Sequence, residues 1–461
     1  MNLVKLSLVA ALAAGSFSAL NAKSLEEAIK NVDISGWMQY RYDSARFTNG
    51  SDFNLNGAGI ATTQTHRYKA VLTTKIDAGD GFKLVGQLLY GNDKNGGFDT
   101  GTATKEPIKL KQAYLQYDLA DAGVSFLLGR QNLNTIWTDD LAGMAAKVLV
   151  TPTDGLTIAA FAVDSFDGGQ HKEIKENNVV IAKENTLGGD DEANFHYVGY
   201  GTNPDQANAL NTRLYKENMY GAAVLGDFGP LKAELWGNYW DKTATLYAVK
   251  LDFLVPFGGG DSFRIHANYL GNVIHGNLQN DVRAVMNAAD DLLANGNLAN
   301  LKAEVKVSGF DANIGGIYFG NKDKITINTL EEPFGGDGDM YVGSEIFYQK
   351  GSWAVLSKGQ STYGYFGAGY TLPADIRFGI KGVYGETKMS AANQAEKVTN
   401  AKMGAGEKIE GLAEISWQVN KGLKLLTYYS YLHTQAKDGM AEGADAVSIK
   451  NTVRFQARYS F

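Results

Sequence analysis

The stretch IKNTVRFQARYSF, residues 449–461, places Ile449, Val453, Phe455, Ala457, Tyr459 and Phe461 on one face of an extended chain. Lys450, Thr452, Arg454, Gln456, Arg458 and Ser460 fall on the other. Side chains on a strand alternate with a period of two, so one face is apolar and aromatic while its reverse is cationic and hydrogen-bonding. A cationic face cannot enter a dry core without a large desolvation cost. An apolar exterior around a wet interior is the pattern of a barrel in lipid, where closure leaves no backbone group unpaired.

Working back from this strand, the same division recurs. Phe263, Ile265, Ala267 and Tyr269 oppose Arg264, His266 and Asn268; Ile376, Phe378, Ile380 and Tyr384 oppose Arg377 and Lys381; Tyr68, Ala70 and Leu72 oppose Arg67, Lys69 and Lys75. Eighteen such runs are read between 33–43 and 449–461, including 306–320 and 324–330. Short turns alternate with long connections. The turns include Asp154-Gly155, Phe228-Gly229, Asn321-Lys322-Asp323 and Asn420-Lys421, and the long connections fall at about 165–217, 272–305 and 331–360. The expected fold is all-β, a transmembrane antiparallel barrel of about 18 strands with short periplasmic turns and long extracellular loops. Helical patterns are expected at 24–31, at 205–217 after Asn203-Pro204, and at 281–294. The last of these would pack on the rim or narrow the lumen.

Residues 1–22 have a cationic start at Lys5, an apolar run from Leu6 to Ala14 and small residues ending at Ala22. That is a secretory leader, with the barrel expected over 23–461. No later segment has the roughly 20 apolar residues of a transmembrane helix. The chain carries 43 Lys and Arg against 50 Asp and Glu, a net charge of −7, which argues against a nucleic-acid partner. It has no cysteine, so neither a disulfide nor a thiolate metal site is available. Its 54 Gly suit turns and crowded walls, and its 24 Tyr suit a membrane interface. Tyr40, Tyr42, Tyr239, Tyr429, Tyr431, Tyr459 and Phe461 are the expected interfacial anchors.

Catalytic motifs are missing: there is no nucleophile elbow, no H-E-x-x-H, and no phosphate loop, and the six histidines lack metal-ligand spacing. A membrane-embedded hydrolase, with Asp and His meeting only in space, is therefore the least favoured reading. A pore needs charged walls and a narrowing. Inward positions supply Arg41, Arg67, Arg264, Arg377, Arg454 and Arg458, together with several lysines. Acids that can face them across the lumen include Asp139, Asp140 and Asp164, and farther along Glu345. Carboxylates meeting from several loops would suit calcium, which accepts irregular oxygen cages.

The leader Val4-Lys5-Leu6-Ser7-Leu8-Val9-Ala10-Ala11, the segment Leu25-Glu26-Glu27-Ala28-Ile29-Lys30 and the first strand resemble the major outer membrane porins of the Campylobacter type. Further resemblance lies in Gly129-Arg130-Gln131-Asn132-Leu133-Asn134-Thr135-Ile136-Trp137-Thr138-Asp139, in 154–166, and in Tyr341-Val342-Gly343-Ser344-Glu345-Ile346. The resemblance implies an eighteen-stranded homotrimeric porin related to the substrate-specific porins, cation-preferring, in the outer membrane of a Gram-negative bacterium. It further implies calcium at the constriction, with Asp139, Asp164 and Glu345 as ligands and Asp140 as a neighbour. Outer-membrane lipids, lipopolysaccharide and the barrel-assembly machinery are the expected partners. The expected activity is passive diffusion of ions and small hydrophilic solutes, with substrate-selective uptake of small charged nutrients as the alternative.

Overall fold

A computed structural model describes residues 32–48, 60–91, 108–138, 141–166, 217–286, 290–330, 345–346, 352, 354, 356–402, 404–436 and 447–461. Eighteen antiparallel strands follow in chain order: β1 Val32–Thr48, β2 Ile60–Gly79, β3 Phe82–Gly91, β4 Lys109–Leu119, β5 Val124–Asn132, β6 Ala142–Thr153, β7 Leu156–Phe166, β8 Met219–Asp227 and β9 Leu231–Trp240. The series continues as β10 Ala244–Gly258, β11 Asp261–Ile274, β12 Asn297–Val307, β13 Phe310–Ile327, β14 Leu356–Thr371, β15 Ile376–Lys388, β16 Gly406–Gln418, β17 Leu423–Gln435 and β18 Val447–Ser460. Each strand pairs with its sequence neighbour, and β18 pairs with β1 from Trp37 opposite Ser460 to Thr48 opposite Ile449. The sheet is thereby closed and has no edge.

The faces fall as the period of two requires. On β18 and at Phe461 just beyond it, Val453, Phe455, Tyr459 and Phe461 are 40 to 54% exposed, whereas Lys450 and Thr452 are 7% and 1% exposed. The exposed apolar band continues through Met38, Leu301, Ile314, Phe366 and Tyr384. A soluble protein does not leave so large an apolar belt in water.

Two expectations on 306–330 are corrected. A single strand, β13, runs from Phe310 to Ile327 through both expected runs, and Asn321-Lys322-Asp323 does not reverse the chain. Asn321 Oδ1 accepts the backbone N–H groups of Asp323 and Lys324 at 2.8 and 3.1 Å. This turn chemistry is used in a bulge, across which the pairing with β14 steps from Asn321 to Ile325. The reversal instead occurs at Ser308-Gly309, both with positive φ of 50° and 83°. That is the two-residue hairpin turn whose twist matches the strands. Strand β12 therefore lies partly in the stretch 272–305 that sequence alone assigned to a loop. One missed strand and one divided strand cancel, which is why the count of eighteen stands.

The helix expected at 281–294 is α1, Gly276–Met286; beyond it Leu293–Ala294 pairs in parallel with Ile325–Thr326. A second helix, α2, covers Gln394–Lys402. The leader, the helical turn at 24–31 and all but Glu217 of the helix at 205–217 lie outside the described residues.

Candidate functional site

Barrel closure brings the two ends of the chain together along one charged wall. On β1 and β18, Asp43 stands opposite Arg454, and on β1 and β2, Arg41 stands opposite Arg67. The buried Asp43 carboxylate accepts Arg41 Nε at 2.6 Å and Arg454 Nε at 2.5 Å. Aromatic faces take up part of the remaining cationic charge: Arg454 lies 5.0 Å from the Tyr428 ring centre, Arg458 4.4 Å from Trp37, and Lys450 5.3 Å from Phe47.

Against this wall lies a piece of the connection between β13 and β14. Glu345 is buried, with Oε1 accepting Tyr428 Oη at 2.7 Å and Oε2 2.8 Å from Lys450 Nζ; Arg454 Nη2 approaches Oε1 at 3.5 Å. Its backbone is held as well. Glu410, on the inward face of β16, accepts the N–H of Glu345 at 2.9 Å and of Ile346 at 3.2 Å, and Ser430 Oγ donates to it at 2.6 Å. Further along, the buried Lys408 donates to Ser352 Oγ at 2.8 Å, and Ser352 shares a 2.8 Å hydrogen bond with Tyr363.

The opposite side of this inward segment is apolar. Ile346 and Ala354 are fully buried in one cluster with Leu133, Trp137 and Leu141, with Leu278 and Val282 of α1, and with inward wall residues such as Leu246, Leu270 and Phe319. Lys147 on β6 fastens the Leu133 segment, its Nζ donating to the carbonyls of Asn132 and Leu133 at 2.7 and 2.5 Å. Thr329 Oγ1 and Leu330 N donate to the Trp137 carbonyl at 3.0 and 3.2 Å. An apolar body thus occupies one flank of the lumen and a charged wall forms the other.

Two further ionic networks line the inside. Arg264 pairs with Asp252, with Nε to Oδ1 at 2.8 Å; His266 lies 3.2 Å from both Asp252 and Glu304, and Lys302 lies 3.0 Å from Glu304. Near the short-turn end Arg377 binds Asp311 through Nε at 2.8 Å and Nη2 at 2.7 Å, and binds Glu414 at 2.5 Å. Glu414 also takes Lys381 at 2.8 Å. Gly369 and Gly379 make this arrangement possible, since a Cβ at either would collide with the guanidinium.

Of the residues singled out from sequence, Arg41, Arg67, Arg454 and Arg458 gather on one wall, while Arg264 and Arg377 belong to separate networks. Glu345, in a connection that sequence places outside the barrel and expected to fold inward, lies against Lys450 and Arg454 on the inner wall. Asp139 and Asp140 lie outside the described residues. Asp164 is exposed, the extra residue of a bulge where the pairing with β6 steps from Ser165 to Val163. Among the described residues no three carboxylate or imidazole side chains converge to hold a metal, and Glu345 faces two cations. Sequence reasoning overlooked Asp43, Lys147, Lys408 and Glu410. Their signal was parity: each is a charged residue on the inward phase of a strand otherwise read correctly.

The family model for the Campylobacter major outer membrane protein matches residues 1–461. Comparison with curated protein sequences gives no match. Among solved structures, Pseudomonas aeruginosa OpdL is similar with a TM-score of 0.57 at 14% identity, over 93% of this chain and 99% of that one. Pseudomonas aeruginosa OpdQ is similar with a TM-score of 0.58 at 10% identity, over 94% and 99%. A BenF-like porin from Pseudomonas fluorescens gives 0.56 at 12% identity, over 93% and 99%. These likenesses are of fold.

Proposed function

The chain belongs to the family of Campylobacter major outer membrane proteins, and from that premise we propose that its barrel conducts ions and small hydrophilic solutes by passive diffusion. The family carries with it an outer-membrane location in a Gram-negative bacterium, and family and fold point to a channel rather than an enzyme. The observation that carries the proposal is the set of ion pairs on the inward face, against which Glu345 is held.

Cation preference is part of the proposal. Arg41, Arg264, Arg377, Lys450 and Arg454 each face a carboxylate, so much of the wall's positive charge is cancelled locally. The chain's net charge of −7 and acids such as Asp139 and Asp140 in the connections support the preference. Ions are least screened where a pore is narrowest, so acids there weigh most. Currents of the refolded protein in a planar bilayer under a potassium chloride gradient test this. Stepwise conductance with a reversal potential of cationic sign is expected. Silence from inserted protein would remove the channel, and the opposite sign would remove the preference.

Substrate-selective uptake of small charged nutrients is the second reading, favoured by a path with charge on one flank and hydrocarbon on the other. Saturable block of the current by one solute class would distinguish it. Cleavage after Ala22, assembly as a homotrimer, contact with lipopolysaccharide and delivery by the barrel-assembly machinery belong to the same proposal. Calcium at Asp139, Asp164 and Glu345 rests on the resemblance alone; the described residues do not by themselves form a cage, because Lys450 and Arg454 occupy Glu345. Unchanged thermal stability on chelation and on excess calcium would dismiss it.

A further inference from the structure

We infer that Glu410 is a positioning residue for ion selectivity, acting by holding Glu345 against Lys450 and Arg454. Glu410 is 2% exposed, and its two carboxylate oxygens accept the consecutive backbone N–H groups of Glu345 and Ile346. Ser430, on β17 two residues before Leu432, which stands opposite Glu410, donates to it from the wall. Backbone donors inside a connection have no ladder to satisfy them, and a carboxylate accepting them makes charge-assisted bonds stronger than neutral ones. With both N–H groups fixed, Glu345 has its backbone pinned to β16 while its side chain reaches Tyr428, Lys450 and Arg454 on β17 and β18. The segment therefore bridges three successive strands.

The electrostatic consequence follows from this geometry. Glu345 meets Lys450 directly and shares Arg454 with Asp43. While the segment is clamped, Glu345 offsets part of the positive charge of Lys450 and Arg454. Once it is unclamped, the wall gains cationic field facing the lumen, and the channel shifts toward anions. Glu410 produces this effect through the position of another residue's charge.

The chain's lack of cysteine permits a direct test. Ile346→Cys, at a fully buried position, is placed in the full-length folded barrel with Glu410 intact and with Glu410→Gln, in the presence of a chelator. The probe is a water-soluble maleimide. Losing a hydrogen bond to a charged group predicts labelling at least about tenfold faster in the Glu410→Gln background. Ala354→Cys, equally buried, serves as a second reporter should the first fail to fold. Equal labelling rates in the two backgrounds would overturn the inference.

The electrical readout rests on the channel reading above. Glu410→Gln and Glu345→Gln should each move the reversal potential toward anions, and the double variant should move it no further than Glu345→Gln alone. An additive shift would mean that Glu410 acts by its own charge, which overturns the positioning role. A wild-type protein that inserts but does not conduct fails the channel reading, while the labelling rates still decide the clamp.

Discussion

At the scale of single residues, the inward arginines are legible from a period of two, but their partners are not. Arg454 finds Asp43 through barrel closure, across 411 positions of sequence. No local pattern announces such a pair. The position of Asp43 between two guanidinium groups gives a specific expectation: Asp43→Asn leaves Arg41 and Arg454 without their shared carboxylate. Removing one partner from a buried ionic group costs about 3 to 5 kcal/mol, and the lower end applies beside a hydrated lumen. The thermal midpoint of the detergent-folded barrel should therefore fall, and the reversal potential should move toward anions. An unchanged reversal potential would mean that neither arginine faces the permeating ions.

Among elements, strand existence was readable almost everywhere, because outward apolar and inward polar residues alternate over eight or more positions. The failure between 272 and 330 has a physical cause. Asn321 makes the hydrogen bonds of a turn, yet the ladder resumes beyond it at Ile325, so a bulge mimics a chain reversal. Conversely Ser308-Gly309 is so brief a turn that it vanished inside an assumed strand, although Leu301, Ala303 and Val305 alternate with Lys302 and Glu304 up to it. The inward placement of Glu345, Ile346 and Ser352 was beyond local reading, since their anchors Lys408 and Glu410 are supplied by a strand some sixty residues later. The revised topology has a sidedness consequence. Cysteine at Ser308 should resist a membrane-impermeant thiol reagent applied to intact cells and react once the periplasm is opened. Cysteine at Lys322, about two thirds of the way along β13 toward the opposite rim, should not share that protection. Reaction of Ser308→Cys in intact cells would place this turn on the cell surface and reject the orientation.

The whole molecule depends on one seam. Gly36 and Phe461 exchange two backbone hydrogen bonds of 3.0 Å where β1 meets the end of β18. Deleting Phe461 removes both, a loss of about 2 kcal/mol at the junction that joins the first strand to the last. It should lower the temperature at which the barrel loses its compact electrophoretic mobility, and it should reduce the amount reaching the outer membrane. Normal levels and normal heat resistance would show that the seam closes without it. Among the described residues, the lining that this closure encloses carries opposite charges set side by side: Asp43 with Arg41 and Arg454, Asp252 with Arg264, Glu414 with Arg377 and Lys381. Such a surface is a fixed zwitterion. It binds water tightly while offering a passing molecule little reason to stay, so the flux of ordinary solutes along it should remain proportional to concentration well beyond the point at which an adhesive wall would saturate.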